Sequence, residues 1–185
     1  MQQAWLKRQS KKIPHATVHL GWRENALQIL AHIPDKDIFT RAVRNNENLC
    51  LFGDVFEIFL KDVAHKAYYE FHIAPNGLWM QLKMPGTEFF RRGGFDLNAL
   101  RIPRRFLNFR LQVNRRANYW KVYAKIPASR LFGKKLTLKN RVWLASFSRY
   151  DYSKNKKNPI LSSTSPHRVP HFHRIEEWQP LRFVS

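Results

Sequence analysis

Three groups of residues in this chain have the types and spacing for chemistry. Glu57 stands in the run Gly53-Asp54-Val55-Phe56-Glu57-Ile58-Phe59-Leu60, between Val55 and Phe59 on one side of a strand. A carboxylate in such surroundings needs a cation, a hydrogen-bond donor or a ligand. Arg149 ends an apolar stripe made by Trp143, Ala145 and Phe147. Its planar fork of donors suits a carboxylate, and the plain reading of Glu57 with Arg149 is a buried ion pair tying two strands together. The third group is His167, His171 and His173. Side chains two apart in an extended segment share a face, so a metal is conceivable there, with Pro166 and Pro170 fixing the path of the chain. Catalysis is not expected. Asp54 and Glu57 lie three apart on a strand and point to opposite faces, so they cannot act as a carboxylate pair. No nucleophile elbow, Walker loop or zinc-protease helix is present, and no Ser, His and acid are spaced so as to single out a triad.

The elements that must position these residues read as strands. Thr17 to Leu20 and Ala26 to Ile33 form a hairpin around 21–25, with Leu27, Ile29, Ala31 and Ile33 on one face. In the Glu57 strand, Phe56, Ile58 and Leu60 share the face opposite to Glu57. A strand at 68–74 follows, and Asn76-Gly77 turns it into a return strand at 78–83. Residues 84–106 read as irregular. Strands at 107–113 and 119–126 each carry an alternating apolar face, a short helical turn fits 128–132, and a strand at 141–149 precedes a loop at 151–174. The last strand falls near 181–184. No segment longer than about ten residues has a helical period. Many short strands separated by turns predict an all-β, two-sheet antiparallel β-sandwich, jelly-roll or immunoglobulin-like, in a single domain over residues 13–185, with residues 1–12 as a basic tail.

Composition bounds the partners. The chain has 185 residues, 44% of them hydrophobic, which is ample for one core. No apolar run is long enough to cross a bilayer as a helix. No apolar stretch follows the basic residues of 1–12, so no signal peptide is visible. That fits a cytoplasmic protein as written, or an extracytoplasmic one whose leader was removed. The single Cys50 excludes an internal disulfide and reads as packing between Leu49 and Leu51. The net charge is +20, which favours polyanions: acidic glycans, nucleic acid or anionic headgroups. The polar positions of the 107–113 and 119–126 strands include Arg110, Lys121, Tyr123 and Lys125. If the strands pair, these make a cationic face with an aromatic in it, and nucleic-acid binding is one reading of such a face.

The motifs also resemble a known family. The Glu57 strand with its leading Gly-Asp, the Tyr69-Glu70-Phe71 strand ending in Pro75-Asn76-Gly77, Trp120 with Ile126-Pro127 and Leu131, the strand from Trp143 to Arg149, and Phe172-His173 with Glu176, Leu181 and Phe183 occur in the order seen in the family 9 carbohydrate-binding modules and the wider DOMON-like group. The resemblance covers about residues 13–184. It implies a sandwich fold and a non-catalytic module that binds a glycan, to which the positive charge adds a bias toward acidic saccharides. It implies that Glu57 and Arg149 hydrogen-bond sugar hydroxyls. In the family two tryptophans clamp the ring; here Phe52 and Thr164 stand at those positions, with Tyr150, Tyr152 and Trp79 as other aromatic candidates. Calcium is common in the family, but the 13 acids of this chain form no acidic loop. Some DOMON-like domains bind haem through Met and His, for which Met80, Met84 and His72 would be the candidates. No cofactor is expected. The alternatives are an electrostatic nucleic-acid binder and a haem-binding redox domain.

Overall fold

A computed structural model describes residues 1–7, 14–86, 96–133, 135–154 and 158–184. Ten strands form two antiparallel sheets: β1 (Thr17–Arg23), β2 (Ala26–Pro34), β3 (Val55–Asp62), β4 (Tyr68–Ile73), β5 (Trp79–Met84), β6 (Asn108–Asn114), β7 (Tyr119–Pro127), β8 (Val142–Asp151), β9 (Ile160–Ser163) and β10 (Gln179–Arg182). The smaller sheet runs β1-β2-β7-β6, and the larger runs β10-β8-β3-β4-β5. Strand β9 shares the outer edge of β8 with β10: β10 pairs with residues 142–145 and β9 with residues 148–151. The β-sandwich is therefore the one the alternation predicts.

Local chemistry sets the turns. Glu24 and Asn25 both have positive φ, which gives the primed turn that suits a two-residue hairpin between β1 and β2. Asn118 at the β6–β7 turn and Gly77 at the β4–β5 turn also carry positive φ. Gly53 is required for closeness as well as for conformation. Its φ is +151°, and a Cβ there would lie 2.5 Å from the Thr40 Cα. That contact bridges Thr40 to Gly53 just ahead of β3.

The main core lies between the sheets. Leu27, Ile29, Ala31 and Ile33 of β2 and Trp120, Val122, Ala124 and Ile126 of β7 meet Phe56, Ile58 and Leu60 of β3 and Trp143, Ala145 and Phe147 of β8. Sequence alternation had assigned these faces correctly. The other face of the larger sheet is covered too. Leu49, Leu100, Phe172, Ile175 and Trp178, all from connecting segments, pack on Val55, Phe59, Tyr68, Met80, Leu82 and Met84. That is why β3 and β4 are buried almost throughout.

The loop expected at 151–174 contains β9, a strand too short and too polar (Ile160-Leu161-Ser162-Ser163) to stand out. The segment expected to be irregular contains a one-turn helix, Leu97–Leu100, capped by the Asp96 side chain accepting from the Asn98 N–H; residues 87–95 lie outside the described residues. Residues 1–7, read as a tail, meet the body. Gln2 exchanges backbone hydrogen bonds with Ser163, and Trp5 packs against Phe172.

Candidate functional site

The register of β3 and β4 assembles a polar cluster on the covered face of the larger sheet. Glu57 lies directly opposite His72, and Glu70 stands two residues before His72 on the same face. His72 Nε2 is 3.2 Å from Glu57 Oε1 and is hydrogen-bonded to Glu70 Oε1 as well. All three residues are buried. Behind Glu70, His173 Nδ1 lies 3.8 Å from the second carboxylate oxygen and 2.8 Å from the Tyr68 hydroxyl. The result is a chain of titratable groups from Glu57 to Tyr68 inside an apolar layer.

Burial dominates its electrostatics. Loss of solvent, with the charge of Glu70 adding to it, pushes the Glu57 carboxyl up to about 8 against the pull of His72. Burial also works to raise Glu70, but the charges of His173 and His72 and the bond from His72 more than offset it and hold Glu70 low. Burial opposes a charge on His72, yet the two carboxylates beside it raise its affinity for a proton. Glu70 is therefore the stronger acid of the two carboxyls, His72 is the base that its charge favours, and Glu57 is the carboxyl that keeps its proton longest.

A cavity of about 200 Å³ opens onto this cluster. Glu57, Glu70 and His72 form its polar floor, and Phe59, Tyr150 and Phe172 supply aromatic wall. Exposed Pro170 and His171 lie at its rim. Cys50 is also in the lining, its thiol pushed up by burial and then by the nearby glutamates, so it is protonated and inert.

Of the four expected ligand-binding residues, only Glu57 lines this cavity. Arg149 points the other way. It lies opposite Phe56 in the register and so faces the interior between the sheets. There it is ion-paired with Asp151, donates to the Pro34 carbonyl at 2.9 Å, and is 1% exposed. Asp35 and Asp54 lie beside it, and the carboxylates of Asp35, Asp54 and Asp151 approach one another within 4.8 Å. Asp54 also accepts from the Phe39 and Tyr152 N–H groups, while burial and then Asp35 push its carboxyl up to about 8. Arg149 is thus the internal cation of a carboxylate cluster that no short-range sequence pattern announced. Thr164 hydrogen-bonds through its backbone and hydroxyl to Phe147 in β8. Phe52 is half-buried against the apolar layer, away from the cavity lining. Among the other aromatic candidates Tyr150 lines the cavity, whereas Tyr152 donates to the Cys50 carbonyl and Trp79 lies outside the lining.

The three histidines do not converge. His167 Nδ1 donates to the Glu177 carboxylate at 3.1 Å, His173 faces Tyr68 and Glu70, and the His171 ring lies tilted with its centroid 5.5 Å from that of His173. His167 Nε2 is also 3.4 Å from the Ser146 hydroxyl, so Ser146, His167 and Glu177 are ordered like a triad, which spacing along the chain had not suggested. Ser146 and His167 are both fully buried and outside the cavity. Their hydroxyl and ring contacts, shared with Ser148 and Ser163, tie β9 and the following segment to β8. The haem candidates His72, Met80 and Met84 all line the cavity, but His72 Nε2 is already held between two carboxylates.

Strands β6 and β7 pair, with Arg110 opposite Tyr123, and Lys121 and Lys125 on either side on the outer surface of the smaller sheet. Arg110 and Tyr123 are exposed. Lys125 is paired with Glu24 at 2.9 Å, and Lys121 lies 5.0 Å from the Tyr119 ring. No helix among the described residues is long and apolar enough to cross a membrane.

No protein-family model matches this sequence, and no curated protein does. Solved structures do share the fold. A protein of Bacteroides uniformis proposed to bind carbohydrate superposes with a TM-score of 0.72 at 15% identity, over 92% of this chain and 78% of that one. A family 9 carbohydrate-binding module of Caldicellulosiruptor kristjanssonii, solved with glucose, gives 0.59 at 13% identity over 92% and 76%. A structure of a family 9 module from the same organism with cellotriose gives 0.53 at 15% identity over 79% and 62%. The chain has the fold of the carbohydrate-binding modules, with its polar cavity on the outer face of the larger sheet.

Proposed function

We propose that this protein is a non-catalytic carbohydrate-binding module that holds a sugar in the cavity floored by Glu57, Glu70 and His72. The observation that carries the reading is the combination of a carboxylate-and-imidazole floor with aromatic walls, in a sandwich whose structural neighbours include modules solved with glucose and with cellotriose. Glu57 and Glu70 accept from sugar hydroxyls, and Tyr150 and Phe172 offer apolar surface to the ring C–H groups. A cavity of about 200 Å³ is of the size for a single sugar residue.

The preference for acidic saccharides expected from the net charge does not carry to this cavity. Its floor holds the Glu70 carboxylate, and among the described residues no lysine or arginine lines it to receive a uronic acid or a sulfate. A cluster of positive charge, Arg110, Lys121 and Lys125, lies instead on the outer surface of the smaller sheet. The cavity ligand is therefore a neutral sugar. A panel of neutral and acidic glycans, with DNA as a polyanion control, tests the reading by calorimetry. Salt-tolerant binding of one neutral glycan class, lost in Glu57→Gln, supports it. Absence of binding to every glycan, or binding that is indifferent to Glu57→Gln, overturns it.

A further inference from the structure

The Glu57, Glu70 and His72 cluster has a second property that sugar binding does not need. One oxygen of each carboxylate and one ring nitrogen of the histidine lie within 4.8 Å of one another. Zinc donors at about 2.0–2.1 Å in a tetrahedral arrangement sit roughly 3.3 Å apart. The Glu57 Oε1 to His72 Nε2 distance is 3.2 Å. One donor pair is thus already at the separation a small divalent ion imposes, on two adjacent strands; the hydrogen bond between His72 and Glu70 would open to admit the ion.

The groups are also poorly served without an ion. Glu70 Oε2 and His72 Nδ1 are buried and have no hydrogen-bond partner among the described residues, in side chains that are 5% and 3% exposed, although His173 Nδ1 lies 3.8 Å from Glu70 Oε2. Among the described residues the two carboxylates have only the His72 and His173 imidazoles beside them, and taking charges out of water is costly unless they are fully compensated. The contrast with the other carboxylate cluster is direct: Asp35, Asp54 and Asp151 have the Arg149 guanidinium among them. Among the described residues no arginine or lysine lines the cavity.

We propose that Glu57, Glu70 and His72 form a binding site for one divalent transition-metal ion of the zinc class, with its remaining coordination position open to the cavity. Imidazole plus carboxylate is a donor set for zinc, iron or manganese, and the nitrogen and small number of donors disfavour calcium, which takes six to eight oxygens. His173 stands behind Glu70, 3.8 Å from its second oxygen and bonded to the Tyr68 hydroxyl, without itself being a ligand. The open position would take water or a hydroxyl group of whatever enters the cavity.

The inference does not rest on the sugar reading, because the metal is titrated alone. The full chain, stripped with a chelator, is dialysed against zinc, with calcium at the same concentration as a control, and its melting temperature is followed. One zinc per chain and a rise in melting temperature are expected, since a ligand that binds only the folded state stabilises it. Glu57→Gln and Glu70→Gln should each weaken uptake by about tenfold or more, the scale seen even for outer partners of metal ligands. These amides keep the shape of the side chain and remove a buried charge, and their folding is checked in the same melts. His19→Ala, on the far sheet, should leave uptake unchanged. Zinc uptake that is absent, or that survives both folded amide variants, overturns the proposal. Sugar binding that persists in chelator leaves the proposed function standing whichever way the zinc result falls.

Discussion

Glu57 and Arg149 occupy opposite faces of the larger sheet: in the β3–β8 register Glu57 lies across from Ser148, and Arg149 lies across from Phe56. The two residues therefore serve different ends, and their substitutions separate. Glu57→Gln should abolish sugar binding with the fold intact. Arg149→Met should leave Asp35, Asp54 and Asp151 without their cation and cost about 3–5 kcal/mol of stability, the range for removing one partner of a buried ion pair. Denaturant unfolding and calorimetry on both variants check this. A stable Arg149→Met protein that has lost sugar binding would place Arg149 at the ligand after all.

Stability should fall as pH rises from about 5 to 8. Glu57 and Asp54 both have carboxyls pushed up to about 8 in the folded protein by burial. A folded-state value above the unfolded one means the folded state binds the proton more tightly, so the stabilisation is complete below the unfolded carboxylate range and is lost as pH climbs to the folded value. His72, also raised, acts in the same direction at higher pH. Glu70, held low, acts in the opposite direction and only in acid. His167 and His173 are lowered by burial and work against the trend near their ordinary range. Comparison with variants isolates the carboxyls: Glu57→Gln and Asp54→Asn should each flatten the fall in melting temperature across this interval. Parallel curves for the parent and both variants would show that these groups are not raised.

Gly53→Ala should destabilise the protein by about 1–3 kcal/mol, the range for a residue held in a sparsely populated backbone conformation. At φ +151° an alanine is strained, and its Cβ would press on the Thr40 Cα and the Phe39 carbonyl oxygen. The same contact sets the entry of the chain into β3 and so the height of Glu57 on the sheet. Thermal melts and the sugar affinity of the variant should both decline. An unchanged melting temperature would mean the Thr40 segment yields freely.

The fold was legible because alternation along β2, β3, β6, β7 and β8 is regular and a period of two allows only one assignment of faces. The site was half legible. Glu57 stood out as an acid among hydrophobes, and the structure gives it the role of a cavity floor. Its partners were misassigned because pairing depends on register, which is set across space. The hairpin between β3 and β4 held the information: once Glu57 is placed opposite His72, Glu70 follows at the next position on that face. Arg149 was read by its place at the end of an apolar stripe, which is correct, and the same stripe, followed through Phe147 and Ala145, is the one that faces the inter-sheet core. The cover over the cavity comes from segments near 49, 97 and 172, brought together by tertiary packing, which no local pattern encodes.

The last expectation separates the two faces of the sandwich by salt. Binding in the cavity involves a neutral ligand and buried acceptors, so its affinity should change little between about 50 and 200 mM salt, the interval over which contacts to several phosphates lose orders of magnitude. The outer surface of the smaller sheet should behave oppositely. Arg110 and Tyr123 are exposed there beside Lys121 and Lys125, and the chain carries a net charge of +20. Any polyanion held by this surface should be released over the same interval. Combining Arg110→Gln, Lys121→Gln and Lys125→Gln should lower the salt slope of polyanion binding while sugar affinity stays as it was, because these side chains sit on the sheet that does not carry the cavity. Titrations of one neutral glycan and one single-stranded DNA against the parent and the triple variant decide it. A sugar affinity that falls with the three cations would mean that the two faces are not independent.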